Sequence, residues 1–393
     1  TMSIFSNFFK KEAPLLGLEG SGGGLGFLAG GSGASEAGTF TGGTVTQINI
    51  NGQDYNLHTF LASPNVGGAP HTATFTASGD NSPNGGAGGT DGRIEIFLVG
   101  GGGGGAVLGG GGGGGGVAVY RMPTGIAPGT YTIGVGQGGT GDQGWSHSSS
   151  NGSPSYFQYN GANDKIEVAG GGAGQSYSFS HPDNTTLNVN VANTGGENYP
   201  ANPRDSHWSY RSATNTISTP KGQFDRIVNA YNNAGGQGSG YCCPCRGGGG
   251  AGAGSGGINA RQTPADQSGG ANGGNGYQHN FDGNNYYWGG GGAADGYCQT
   301  PPGSTPFDAN YHGDGGLGGG GGSGGIGAPG YALGGGSSIN PGGNGPTSPG
   351  DSPGAPGGAH SGGGGGAGSN GSGSPTYTGG NGGPGIVMIR YKV

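Results

Sequence analysis

The chain has 393 residues, of which 111 are glycine, 29% are hydrophobic and 8% are charged. An apolar core can therefore fill only part of it, and backbone hydrogen bonds must hold the rest. A formal net charge of −7 with only 13 Lys and Arg and no basic stripe argues against a nucleic-acid partner. No apolar run reaches the ~18–20 residues of a membrane helix, which argues against membrane insertion.

In chain order, residues 1–43 form the first region. Ile4, Phe5, Phe8 and Phe9 lie on one face of a short helix that Pro14 stops. Lys10, Lys11 and Glu12 follow these apolar residues instead of preceding a longer apolar stretch, which is not the order of a secretory signal. Leu15, Leu16 and Leu18 continue an apolar, glycine-interrupted tract. The segment reads as a docking peptide; the alternative is that it folds back on its own body.

Residues 44–169 switch to a period of two. Val45, Ile48 and Ile50 lead into Asn51-Gly52, and Tyr55, Leu57 and Phe60 return, which predicts a hairpin. Further strands are predicted at 72–76, 93–99, 117–120, 131–135, 156–159 and 166–168, with a turn at Pro128-Gly129. In the strand at 93–99, Ile94, Ile96 and Leu98 share one face, and Glu95 and Phe97 the other. Glycine blocks interrupt this region at 100–105 and 109–116.

Residues 170–385 alternate glycine blocks, such as 247–250, 289–292 and 318–322, with aromatic and polar connectors. The strict Gly-X-Y period of collagen is absent. Two readings remain for the blocks: flexible linkers, or polyglycine II helices so closely packed that only glycine fits. The second is preferred; about ten blocks of roughly 6–13 residues would make helices about 20–40 Å long at ~3.1 Å per residue, joined by turns into antiparallel layers. Residues 386–393 supply a closing strand that returns to partners more than 200 residues earlier. The expected fold class is all-β with polyglycine II helices: a β-sandwich-like framework enclosing a packed lattice, with little α-helix.

Function-like residues concentrate in the connectors. Trp145, Tyr177, Phe179, Trp208, Tyr210, Tyr277, His279, Phe281, Tyr286, Tyr287, Trp288, Tyr311 and His312 supply rigid contact area suited to recognition, or else cap the ends of a lattice without side chains. Cys242, Cys243 and Cys245 lie in one cluster, with Cys298 further on. Disulfides are preferred there over free thiols; zinc is disfavoured because the spacing does not match a C-x₂₋₄-C knuckle. No metal or other cofactor is expected. Gly321, Ser323 and Gly325 satisfy G-x-S-x-G, but chance alone produces that in so glycine-rich a chain, and the strand-to-helix context is missing. The chain is read as a non-enzyme. A carboxylate pair among Asp282, Asp295, Asp308 and Asp314 is the open exception.

Met2 to Leu18, opening Met-Ser-Ile-Phe-Ser-Asn-Phe-Phe-Lys-Lys, resembles the N-terminus of glycine-rich virion proteins of marine tailed phages, particularly those infecting cyanobacteria. The runs at 96–100, 127–136 and 385–391 are similar to the recurring β-framework of that glycine-rich domain. The middle is similar in layout to phage tail-fibre tip adhesins, in which a polyglycine II sandwich carries variable aromatic loops. Thr1 ahead of Met2 departs from the pattern. The resemblance implies a structural protein on the virion surface, in an extracellular setting. Ile4, Phe5, Phe8, Phe9, Leu15, Leu16 and Leu18 would anchor it to other virion proteins, and the loop aromatics would meet a host surface glycan or outer-membrane protein. Fibre proteins of this kind are often trimeric. The rival reading is a purely structural capsid or tail decoration, or an extracellular filament subunit.

Overall fold

The computed structural model describes residues 39–63, 67–78, 93–107, 109–122, 125–143, 149–160, 164–175, 225–230, 233–235, 247–259, 271–295, 312–324, 332–346, 352–369 and 378–393. These belong to one compact unit, Ala37–Val393. The docking segment lies outside the described residues, as do all four cysteines.

Thirteen strands and no helix are found among the described residues. A six-stranded sheet has the order β10-β6-β5-β13-β3-β2, built from β10 (Asp225–Ala230), β6 (Val117–Met122), β5 (Ile94–Val99), β13 (Ile386–Lys392), β3 (Gln53–Leu61) and β2 (Thr44–Ile50). A five-stranded sheet has the order β1-β4-β7-β8-β9, from β1 (Thr39–Thr41), β4 (His71–Ser78), β7 (Gly129–Val135), β8 (Ser155–Asn160) and β9 (Asp164–Val168). β11 (Tyr277–His279) and β12 (Tyr286–Trp288) form a separate ribbon. All strand pairings within these sheets are antiparallel.

The alternation expected in 93–99 decides the layering. Ile94, Ile96 and Leu98 join Phe75, Ile133, Phe157, Val387 and Ile389 in a core shared by the two large sheets. Phe97 and Val99 point the other way, into a second core with Val117, Val119, Ile386, Met388, Phe281 and Trp288. The β2–β3 hairpin forms as predicted, with Asn51 and Gly52 at φ 53° and 83°, the pair of positive values that a two-residue turn of the hairpin hand requires. β13 inserts between β3 and β5, so the last strand does close the sheet begun by the first ones.

Backbone hydrogen bonds organise the glycine segments with a period of three. In 100–106, residues 100, 103 and 106 donate to Gly116, Gly113 and Gly110; residues 101 and 104 donate to Ser153 and Ser150; residues 102 and 105 donate to Gly383 and Gly380. The carbonyls accept with the same rotation, from Gly139 and Asp142, from Gly171 and Gly174, and from Gly365 and Gly368. One segment thus has six hydrogen-bonded neighbours, three as donor and three as acceptor. The blocks are packed structure in which each N–H of the segment has a partner, as burial demands.

This packing explains the composition. A Cβ added at Gly103, Gly104 or Gly365 would sit 2.1, 1.9 or 2.0 Å from the carbonyl oxygen of Gly172, Thr140 or Gly380. The Cα hydrogens already occupy that space in Cα–H···O contact. At the margins, Asn and Ser side chains accept from the outer N–H groups: Asn272 and Asn275 serve Asp314 and Leu317, Asn381 serves Gly141, and Ser150 and Ser153 serve Thr140 and Gln137.

One expectation is corrected. The segments do not form purely antiparallel layers, because 110–116 runs against 100–106 whereas 139–142, 171–174 and 365–368 run with it. Neighbours here are often distant in sequence, so turn connections do not set their direction. Hydrogen bonds of the network also join residues on the two sides of 169/170, for example Gly113 with Gly172 and Gly112 with Gly365.

Gly103→Ala should lower stability by about 3 kcal/mol, as overpacking against fixed backbone does. Gly336→Ala, where an added Cβ meets nothing within 4 Å, should stay within about 0.5 kcal/mol of the parent. Thermal melts of the two variants check the contrast; equal melting temperatures would refute close packing at Gly103.

Candidate functional site

The aromatic cluster at 277–288, expected as a loop, is a β-hairpin. Strands of three residues each are too short to show a period of two. The turn is closed locally: Gly283, at φ +90°, donates to the Asn280 carbonyl, and Asp282 Oδ1 accepts from the Asn284 N–H. Trp288 Nε1 donates to the His279 carbonyl across the ribbon at 3.1 Å.

The hairpin covers the second face of the six-stranded sheet. Phe97 packs against Phe281, Trp288 and His279 with ring centroids 5.2, 5.1 and 5.5 Å away. Tyr286 meets Trp288 edge-on, and Tyr277 packs with His279. Phe281 and Trp288 are fully buried, the placement expected of aromatics that act as a cap. Their size is what a sheet face lined by valine and methionine needs for its cover. By alternation, Tyr287 and Gln278 lie on the opposite face of the ribbon. Tyr287 is half-buried, and its N–H donates to the Ser337 carbonyl. Within this hairpin, the exposed aromatic surface is that of Tyr287 and the half-exposed edges of Tyr277, His279 and Tyr286.

The other candidates are not gathered here. His312 lies in a bridge with Asp295, at the opposite end of the 289–295 segment from Trp288. Trp145, Tyr177, Phe179, Trp208, Tyr210 and Tyr311 lie outside the described residues. So do Ile4, Phe5, Phe8, Phe9, Leu15, Leu16 and Leu18, and Cys242, Cys243, Cys245 and Cys298. Asp314 Oδ1 accepts from the Leu333 N–H, so its carboxylate ties together two segments distant in sequence, whereas that of Asp282 holds the hairpin turn.

A charged row that sequence reading missed pins the hairpin to the sheet. Arg390, Glu95 and Arg121 stand opposite one another on β13, β5 and β6. Glu95 Oε1 accepts from Arg121 Nε and Nη2 at 3.1 and 2.7 Å, and Oε2 accepts from Arg390 Nε at 2.8 Å. Arg390 Nη1 donates to the Phe281 carbonyl at 2.7 Å, and the guanidinium lies over the Phe281 and Tyr55 rings, 4.2 and 4.9 Å from their centroids. The sequence signal was charge on an otherwise apolar strand face: Glu95 beside Phe97, and Arg390 and Lys392 beyond Met388.

Burial would raise the Glu95 pKa, but the Arg121 hydrogen bonds and the charge and hydrogen bond of Arg390 outweigh it, so the pKa falls below its ordinary 4.5. His279 is lowered from 6.5, first by burial and then by the Arg390 charge, against Glu95 and Asp282. Both groups bind protons more readily in the unfolded chain, so both make acid destabilising. His279 acts as pH falls below about 6.5 and Glu95 as it falls below about 4.5. Glu95→Gln should lower stability at pH 7 and flatten its dependence between about pH 5 and 3. Denaturant midpoints measured across that range check this; parallel curves for variant and parent would refute it.

Among known families, the one described as glycine-rich domain matches residues 90–392, a span that runs from just ahead of β5 through Lys392. Neither a curated protein nor a solved structure matches the chain. A span that takes in the packed glycine segments, the charged row and the closing strand places this chain in the glycine-rich domain family.

Proposed function

We propose that the glycine segments are polyglycine II helices and that they serve as a rigid display scaffold on a phage virion, contacting the host surface through side chains held at the scaffold's edge. The supporting observation is the three-residue rotation of hydrogen bonds among six neighbours around 100–106, which matches a threefold extended helix in close packing. Such a body is stiff without a large apolar core. The phage assignment is supported by the resemblance of residues 2–18 and of the β-framework runs. In this reading the protein is not an enzyme, its N-terminal segment docks to other virion proteins, and host contact falls to Tyr287 and to the aromatic connectors outside the described residues.

A second reading, a decoration or filament subunit without a receptor, is favoured by one observation. The hairpin spends Phe281 and Trp288 on covering the sheet. Mass spectrometry of purified particles, joined to competition of cell adsorption by the isolated protein, separates the two. The adhesin reading expects the protein in particles, competition by the parent chain, and about tenfold weaker competition by Tyr287→Ala combined with Trp208→Ala, as for hot-spot aromatics. Presence in particles without competition supports decoration, open-ended fibres support a filament, and absence from particles refutes the virion assignment.

A further inference from the structure

Each of the two large sheets ends in two edge strands, whose outward N–H and C=O groups are a template for pairing with another chain unless the edge is blunted. Among the described residues, three of these four edges are blunted. β1 is only three residues long. β9 carries Asp164, Lys165 and Glu167, and its ladder with β8 shifts register between Gln158 and Asn160. β10 shifts register against β6 between Arg226 and Val228. β2 has none of these features. Its seven residues, Thr-Val-Thr-Gln-Ile-Asn-Ile, include no charge and no proline, and they pair with β3 without a break from Thr44 to Ile50. Thr44, Val45, Thr46, Gln47 and Asn49 are exposed, Val45 at 51%.

We propose that β2 pairs antiparallel with β2 of a second copy of this chain, about a two-fold axis at Gln47, so that two six-stranded sheets join into one. The phase of the backbone permits it. In a hairpin with a two-residue turn the flanking residues, here Ile50 and Gln53, form a hydrogen-bonded pair, and such pairs alternate along the ladder. Thr44, Thr46 and Ile48 therefore bond to β3, and the N–H and C=O groups of Val45, Gln47 and Asn49 point out of the sheet. Among the described residues, no backbone hydrogen bond from outside the sheet reaches them. A two-fold axis at Gln47 sets this residue opposite its own equivalent and Val45 opposite Asn49, so that all three outward residues exchange hydrogen bonds at once. The side chains agree with that register. Thr46 stands opposite Ile48 and Thr44 opposite Ile50, on the face where Ile48 packs against the second core. No like charges meet across the axis, although each copy carries −7. A second copy is the occupant because the strand is complementary to itself, and an isologous contact of this kind closes at two chains. This inference concerns a different surface from Tyr287 and does not depend on the virion assignment.

Sedimentation velocity of the full chain over a dilution series tests the proposal, with Gln47→Lys and Gln47→Glu measured alone and as an equimolar mixture. One strand pair is a small interface beside the about 1,200–2,000 Å² of standard complexes, so the parent should pass reversibly from monomer to dimer as its concentration rises. Either variant alone sets like charges face to face on the axis and should raise the dimer dissociation constant about tenfold or more. The mixture should restore dimers, because lysine then meets glutamate. Gln47 is exposed, so the melting temperature of the monomer should not change. Gln47→Pro removes the outward N–H without a bond to β3 being lost, and should also abolish pairing. A parent that stays monomeric, as it would if this edge receives a strand from another protein, overturns the proposal. So does a trimer or an open-ended fibre, dimerisation of the single variants at the parent's strength, or a mixture that associates no better than either variant.

Discussion

A backbone N–H that is buried must find a carbonyl, and a chain with few side chains to bury has little else to hold it together. In this protein that requirement becomes the organising force. Along 100–106 the N–H groups turn through three directions in succession, each meeting a different neighbouring segment, while the carbonyls receive three others. The distance that permits this leaves no room for a Cβ, as at Gly104, where one would stand 1.9 Å from the Thr140 carbonyl oxygen. Glycine is thus required by the hydrogen bonds, and the entropy lost in ordering it is offset by bonding on every side of the segment.

The sheets and the glycine segments depend on one another. β5 runs directly into 100–106, and β13 emerges from the segment that includes Gly380 and Gly383, so one sheet sets where two packed segments begin and end. Apolar burial between the two large sheets fixes their register, and the charged row from Arg121 through Glu95 to Arg390 fixes the cover on the outer face.

Local signals carried much of the β framework. Asn51-Gly52 announced its hairpin, the alternation of Ile94, Ile96 and Leu98 announced a face, and the apolar run at 386–391 announced a closing strand. What pairs with what was not legible. Glu95 and Arg390 are 295 residues apart, and nothing near either one names the other. The glycine blocks are worse in this respect, since identical residues cannot encode which neighbour each meets; the flanking strands and the Asn and Ser at the margins carry that information. Trp288 and Phe281 could be read from sequence either as contact residues or as a cap, because their strands were too short to display a period and the face they cover belongs to a distant part of the chain.

The central claim is that the glycine segments are the solid interior of the protein. Amide hydrogen exchange, read peptide by peptide on the native chain, addresses it most directly. Residues 100–106, 110–116 and 362–368 should exchange as slowly as β5 and β13, and should lose protection in the same cooperative step. Exchange of those segments at the rate of an unstructured glycine peptide, while the strands remain protected, would contradict the account.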